Sequence, residues 1–171
     1  MVEKIKYLIL ITLVTAISAC KMGYSFSGAS ISPEVKTVSV SLFPNYAPLA
    51  QPLASQTFTE ALRTIFITQT NLSLVDREGD LHFEGSITAY NTTPVALQGG
   101  EMSQATLNRL SMTVNVKFIN SLDDTKDFES AFTRYTDYDA RRNLSDVETL
   151  LLKEINDQLV QDIFNKAVVN W

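Results

Sequence analysis

Leu110-Ser111-Met112-Thr113-Val114-Asn115-Val116-Lys117-Phe118 alternates strictly between apolar and polar side chains. Successive side chains of a strand point to opposite faces, so this segment predicts a strand with one buried face and one wet face. Such a sheet needs cover on its apolar side only, and the rest of the chain supplies both partners and cover. Val35–Phe43 alternates too, with Val38, Val40 and Leu42 on one face and Thr37, Ser39 and Ser41 on the other. Leu72–Val75 is a short strand, closed by the turn composition Asp76-Arg77-Glu78-Gly79-Asp80. After it, Leu81, Phe83, Ile87 and Ala89 face one way, with His82, Glu84, Ser86 and Thr88 opposite. Lys126–Tyr138 predicts a further strand, with Phe128, Ala131, Phe132, Tyr135 and Tyr138 spread over both parities.

Two segments carry the other period. From Pro52 to about Gln69, Phe58, Ala61, Leu62 and Ile65 recur at helical spacing, opposite Gln56, Glu60 and Arg63. Ser145-Asp146-Val147-Glu148 reads as a capping box, opening a helix to about Val169. Its apolar stripe is Leu151, Leu152, Ile155, Leu159, Ile163 and Ala167. The order β-α-β-β-β-β-α predicts an α+β fold, a two-layer sandwich of a four- to five-stranded sheet with two helices packed on one face. The pattern does not tell the order of strands in the sheet. The uncovered face is expected to be rich in Thr, Ser and Asn.

Composition narrows the function classes. A chain of 171 residues is one domain's worth. With 45% hydrophobic residues and a net charge of −5, it is no disordered chain. Fourteen basic against nineteen acidic residues is the wrong balance for a nucleic-acid binder. One Cys and one His argue against a disulfide framework, a Cys/His zinc site and a Cys–His nucleophile pair. No cofactor and no metal is expected.

The first residues carry the most specific chemistry. Lys4 and Lys6 precede an apolar run, Tyr7–Ile17, that is too short to span a bilayer and reads as the core of a signal peptide. The run ends in Ile17-Ser18-Ala19-Cys20, the form of a bacterial lipobox: a branched apolar residue, two small residues for a narrow peptidase site, and a thiol that accepts a diacylglycerol. The expectation is a signal peptide over residues 1–19 and one domain over residues 20–171, lipidated at Cys20. Two or three acyl chains anchor firmly where one holds only marginally. Lys21, where an Asp would mark inner-membrane retention in many Gram-negative bacteria, favours the outer membrane, and Cys20–Ser30 lacks the acidic cluster of surface-exported lipoproteins, which favours its periplasmic side.

Beyond the lipobox, the chain resembles the LptE family of outer-membrane lipoproteins of the lipopolysaccharide-assembly translocon. The matching segments are Gly23-Tyr24-Ser25-Phe26-Ser27-Gly28, Val35-Lys36-Thr37-Val38, Ser55-Gln56-Thr57-Phe58-Thr59-Glu60-Ala61-Leu62 and Gly79-Asp80-Leu81-His82-Phe83-Glu84-Gly85-Ser86-Ile87-Thr88. The resemblance implies two helices on one face of a small sheet. It also implies a protein without enzymatic activity that plugs the lumen of an LptD-type β-barrel, assists its assembly and helps pass lipopolysaccharide to the outer leaflet. Two other readings stay open, a lipid-anchored periplasmic hydrolase and a scaffold of another envelope complex.

Several residues have both a sharp and a plain reading. His82 lies on a polar parity near Glu84 and Ser86, with no nucleophile motif beside it, and reads as solvent-facing. Asp123, Asp124, Asp127 and Glu129 lack the spacing of a calcium loop and read as a solvated hairpin tip. Gly99-Gly100 is loop, and the Asn-x-Ser/Thr triplets at Asn71, Asn91 and Asn143 mean little in a bacterial lipoprotein. Arg109, Lys117 and Arg134 lie on or near strands and are candidates for lipopolysaccharide phosphates; the plain alternative is solubility and protection of a sheet edge. Pro94–Ala105 is long for a hairpin connection and carries Val95, Leu97 and Met102 beside the two glycines. Leu97 and Met102 are therefore candidates for contact with the barrel.

Overall fold

The computed structural model describes residues 31–48, 50–95 and 107–168. Five strands and two long helices follow in the order β1 (Thr37–Val40), α1 (Ala54–Gln69), β2 (Ser73–Leu74), β3 (Leu81–Val95), β4 (Leu107–Asn120), β5 (Phe128–Asp139) and α2 (Leu144–Val168). A 3₁₀ turn, Asp124–Lys126, connects β4 to β5. The strands lie in the order β2-β1-β3-β4-β5. β1 is parallel to both β2 and β3, whereas β3, β4 and β5 form an antiparallel meander. The expected α+β order is the one observed.

β4 is central because its alternation sorts the two solvents. Leu110, Met112, Val114, Val116 and Phe118 are all buried. Phe118 stands 4.8 Å from Phe83 of β3 and 5.2 Å from Phe128 of β5, centroid to centroid. Phe66 of α1 closes over Phe83 at 4.7 Å and meets Phe164 of α2 at 5.2 Å. One run of rings thus ties both helices to three strands. Offset and tilted ring pairs add about 0.5–1.5 kcal/mol beyond the area that they bury.

Four local expectations need correction. In β3, Ile87 pairs with Val114 but Ala89 pairs with Thr113, so Thr88 is an extra residue in the ladder. A bulge of this kind flips the parity that follows, and Tyr90 rather than Ala89 is buried. β1 ends at Val40, so the chain leaves the sheet before Leu42, which is 61% exposed, while Phe43 turns into the core. Phe43 N–H donates to Thr59 Oγ1 of α1 at 3.1 Å, which fixes that inward turn. β5 starts at Phe128 and not at Lys126, because Asp124–Lys126 forms the turn; its apolar side chains lie on both parities as expected, with Ala131 and Tyr135 on the face opposite Phe128 and Phe132.

The fourth correction concerns the start of α2. The helix begins at Leu144, and Ser145 Oγ lies 3.4 Å from Asp146 Oδ1. Glu148 is buried instead of capping. Its carboxylate accepts from the Tyr90 hydroxyl of β3 and from Gln51 Nε2, just ahead of α1. Three elements are pinned at one end of the molecule by that carboxylate, and burial together with the carboxylate pushes the Tyr90 phenol up.

Pro94 and Val95 belong to β3, paired with Asn108 and Leu107. The rest of the predicted connection, with Leu97 and Met102, lies outside the described residues, as do the signal peptide and Cys20.

Gly85 tests the packing directly. A Cβ there would meet the Asn115 carbonyl oxygen at 2.0 Å and Phe43 Cε1 at 2.7 Å. The first is backbone of the neighbouring strand and cannot swing away. Gly85→Ala is expected to destabilise the chain by about 2–3 kcal/mol in urea unfolding, the upper part of the overpacking range. Ser86→Ala, one residue on, is expected to stay within about 0.5 kcal/mol of the parent. Equal midpoints for the two variants would contradict this packing.

Candidate functional site

The uncovered face of the sheet is built from the polar parity of β3, β4 and β5. Ladder positions put Glu84, Lys117 and Glu129 in one row and Ser86, Asn115 and Ala131 in the next. Then come Ala89, Thr113 and Thr133; Asn91, Ser111 and Tyr135; and, at the far end, Thr93, Arg109 and Asp137. Cross-strand bonds knit the face together. Thr113 Oγ1 and Thr133 Oγ1 are 2.9 Å apart, and Asn115 Nδ2 donates to Glu129 Oε1 at 3.1 Å. Lys117 Nζ donates to Glu84 Oε1 at 2.7 Å. Arg109 holds Asp137 by a fork of two bonds, 2.8 and 2.9 Å, and lies 3.6 Å above the Tyr135 ring.

The three candidate phosphate-binding cations do not form one site. Arg109 and Lys117 sit at opposite ends of this face, eight residues apart on one strand and so about 27 Å. Arg134 is on the helix side, where Nε and Nη2 reach both oxygens of Asp162 on α2. Each of the three is paired with a carboxylate, which raises its pKa. A phosphate would have to displace that carboxylate to reach any of them.

His82 has a partner that sequence spacing did not indicate. Ser39 Oγ lies 2.8 Å from His82 Nδ1, and His82 Nε2 lies 3.7 Å from Glu84 Oε2. The order Ser–His–Glu resembles a catalytic triad, but a nucleophile has to face its substrate. Ser39 is fully buried, and its Oγ already accepts the Gly79 N–H at 3.0 Å. The trio locks β1 to β3, and the Gly79 bond adds the turn before β3. Asp80 reinforces that lock: its Oδ2 accepts the N–H groups of Lys36 and Thr37 at 2.7 and 2.9 Å, while its own N–H donates to Thr37 Oγ1.

The acidic tip is also structural. Asp127 Oδ1 accepts the Asn120 N–H at 2.7 Å, and Asp123 Oδ1 accepts the Thr125 hydroxyl. Among the described residues, no group of three or more His, Cys, Asp or Glu side chains is placed to hold a metal. No described helix is long and apolar enough to cross a membrane.

These carboxylates give acid sensitivity a definite sign. The Lys36 and Thr37 N–H groups hold Asp80 below the ordinary carboxylate range; Lys117 lowers Glu84 and Arg109 lowers Asp137. Arg141 takes Asp139 down to about 2. A carboxyl with a depressed folded pKa stabilises fully above its unfolded value, near 3.8 for Asp, and loses that contribution as pH falls through the folded value. The melting temperature is expected to fall steadily from about pH 4.5 to about pH 2. Asp80→Asn should be less stable at neutral pH and lose less over that interval. Parallel curves for the two proteins would contradict the role given to Asp80.

The family model described as LptE, Lipopolysaccharide-assembly, matches residues 35–167. No match was found among curated protein sequences. Similar solved structures include protein CT253 from Chlamydia trachomatis, with TM-score 0.53 and 10% identity over 80% of this chain and 99% of that one. Another is a minor lipoprotein from Acinetobacter baumannii, with TM-score 0.50 and 14% identity over 77% and 91%. A third is protein XCC0632 from Xanthomonas campestris, with TM-score 0.51 and 8% identity over 82% and 90%. At such identities these likenesses speak for the fold alone. The family match runs from the residue before Lys36 to the last turn of α2, across all five strands and both helices, and by it the chain belongs to the LptE family of lipopolysaccharide-assembly proteins.

Proposed function

We propose that this chain is an outer-membrane lipoprotein without enzymatic activity. Acylated Cys20 anchors it on the periplasmic side, and the folded domain plugs the lumen of an LptD-type β-barrel. There it assists assembly of the barrel and the passage of lipopolysaccharide to the outer leaflet. The observation that carries this reading is the open sheet face, polar along its length and closed by its own cross-strand bonds. Water-filled barrels have polar interiors, so this face can sit against a wet wall without stripping apolar surface from the core. Arg109 and Lys117, at the two ends of the face, are placed to exchange their carboxylate partners for phosphates of a passing lipopolysaccharide. Arg134 is held by α2 and serves the helix layer.

The β3–β4 connection is the proposed contact with the barrel. It joins the two strands after the Val95–Leu107 pair that ends the longest hairpin, and its sequence holds the apolar Leu97 and Met102. A photo-crosslinker at Leu97 or Met102 is expected to capture a large barrel protein in cells. Deletion of residues 96–102 should weaken the complex and leave the melting temperature of the purified domain unchanged. Capture no stronger at Leu97 and Met102 than at Gln158 on α2, or an intact complex after the deletion, would remove the connection from the account.

A further inference from the structure

The edges of the sheet are not treated alike. β2 is only two residues long, and beyond it the Val40 carbonyl of β1 accepts from Arg63 Nη2 at 2.9 Å. Ladder parity tells where the other backbone groups point. Ser121 N–H bonds to the Asp80 carbonyl, so odd-numbered residues of β4 face β3 and even-numbered ones face β5. Above the bulge, Tyr90, Thr92 and Pro94 of β3 therefore turn away from β4, and Pro94 sets a missing N–H on that edge. Short strands and edge prolines keep an edge from pairing. β5 has neither device. Its even-numbered residues bond to β4, while Glu129, Ala131, Thr133, Tyr135 and Asp137 point outward. Their N–H and C=O groups have no partner among the described residues, along a strand of 12 residues without Pro, Gly or bulge.

The two sides of this edge differ in chemistry. On the helix side Phe128 and Phe132 are half-buried, with Lys166 Nζ 4.7 and 5.6 Å from their ring centroids. On the open side Glu129 and Asp137 are exposed. A strand that docks here needs apolar side chains on one parity and polar or basic ones on the other. A second copy of β5 fits poorly, because its longest in-phase overlap sets Glu129 against Asp137 at both ends. The chain's own N-terminal stretch fits: Met22, Tyr24 and Phe26 alternate with Lys21, Gly23, Ser25 and Ser27.

The start of the described chain is in reach. Val35 N–H closes a turn on the Ser32 carbonyl at 3.0 Å, and Lys36 N–H is bound to Asp80. Asp80 is bonded to Ser121, so β1 begins at the end of the sheet where β5 also begins. From β1 to a strand outside β5 is four strand spacings, about 19 Å. A turn of roughly 7 Å and five extended links, from Gly28 to Lys36, reach about 23 Å.

We propose that residues 21–27 dock on the outer edge of β5 as a sixth strand. It runs antiparallel, since it leads toward the end from which β5 departs. Met22, Tyr24 and Phe26 turn to the helix side, beside Phe128, Phe132 and Lys166, while Lys21 and the serines turn to the acidic open side. The docked strand closes the edge and fixes the tether between Cys20 and the domain. It needs neither acylation nor a barrel.

The test uses the full mature chain in detergent micelles, with amide hydrogen exchange read residue by residue by NMR. The N–H groups of Ala131, Thr133 and Tyr135 are expected to be protected, and the double variant Tyr24→Ser, Phe26→Ser should speed their exchange about tenfold or more. The N–H groups of Phe132 and Arg134, which face β4, should not change. Thr133→Pro serves as a second variant, because it removes one outward donor and leaves the β4 ladder whole. A photo-crosslinker at Phe26 should attach to β5 in the parent and lose that product in Thr133→Pro. Outward amides that exchange without protection in the parent, or protection that survives the double serine variant, would each overturn the proposal. So would equal loosening of outward and ladder amides, or a Phe26 crosslink to α1 or to another protein. None of these results bears on whether a barrel co-purifies.

Discussion

Everything in this molecule follows from the two solvents that β4 separates. Its apolar side chains have to leave water, and both long helices lie over that side, joined to it by a run of phenylalanine rings. Its polar side chains need no cover, because they bond to one another across the strands. The protein therefore has a sealed layer and a wet one. A chain meant to lie against another protein's polar wall gains from that division, since its core is complete before any partner arrives.

What could be read in the sequence was whatever obeys a strict period. The alternation of β4 and the helical stripes of α1 and α2 both hold in the structure, down to Leu62, Ile155 and Ile163 at the core. The reading failed where one residue breaks the period. Thr88 adds a step to β3 and exchanges Ala89 for Tyr90, which no count of polar and apolar residues reveals. Glu148 fits the spacing of a capping box, yet it is taken by Tyr90 and Gln51, which approach only once β3 and the start of α1 are in place. Strand order was out of reach for the same reason: the parallel pairing of β1 with β3 joins segments about forty residues apart, and nothing local encodes it.

The candidate site was legible in kind but not in detail. The richness in Thr, Ser and Asn on one parity announced a polar face, and the structure places Arg109 and Lys117 on it. It places Arg134 on the other side, because β5 shares its even-numbered side chains with α2. Ser39 and His82 are far apart in sequence and meet only through the β1–β3 pairing, so their contact carried no local signal. Asn156 likewise looks like any polar residue on an amphipathic helix, yet it is buried and its Oδ1 has no hydrogen-bond partner.

The central claim is that this sealed, wet-faced domain works inside a large β-barrel. Affinity purification of the chain from outer membranes in mild detergent tests it most directly, with mass spectrometry of the intact proteins recovered. The account predicts a stoichiometric large barrel protein beside a chain that begins at an acylated Cys20. Recovery of the acylated chain alone, or with a soluble complex and no barrel, would contradict it.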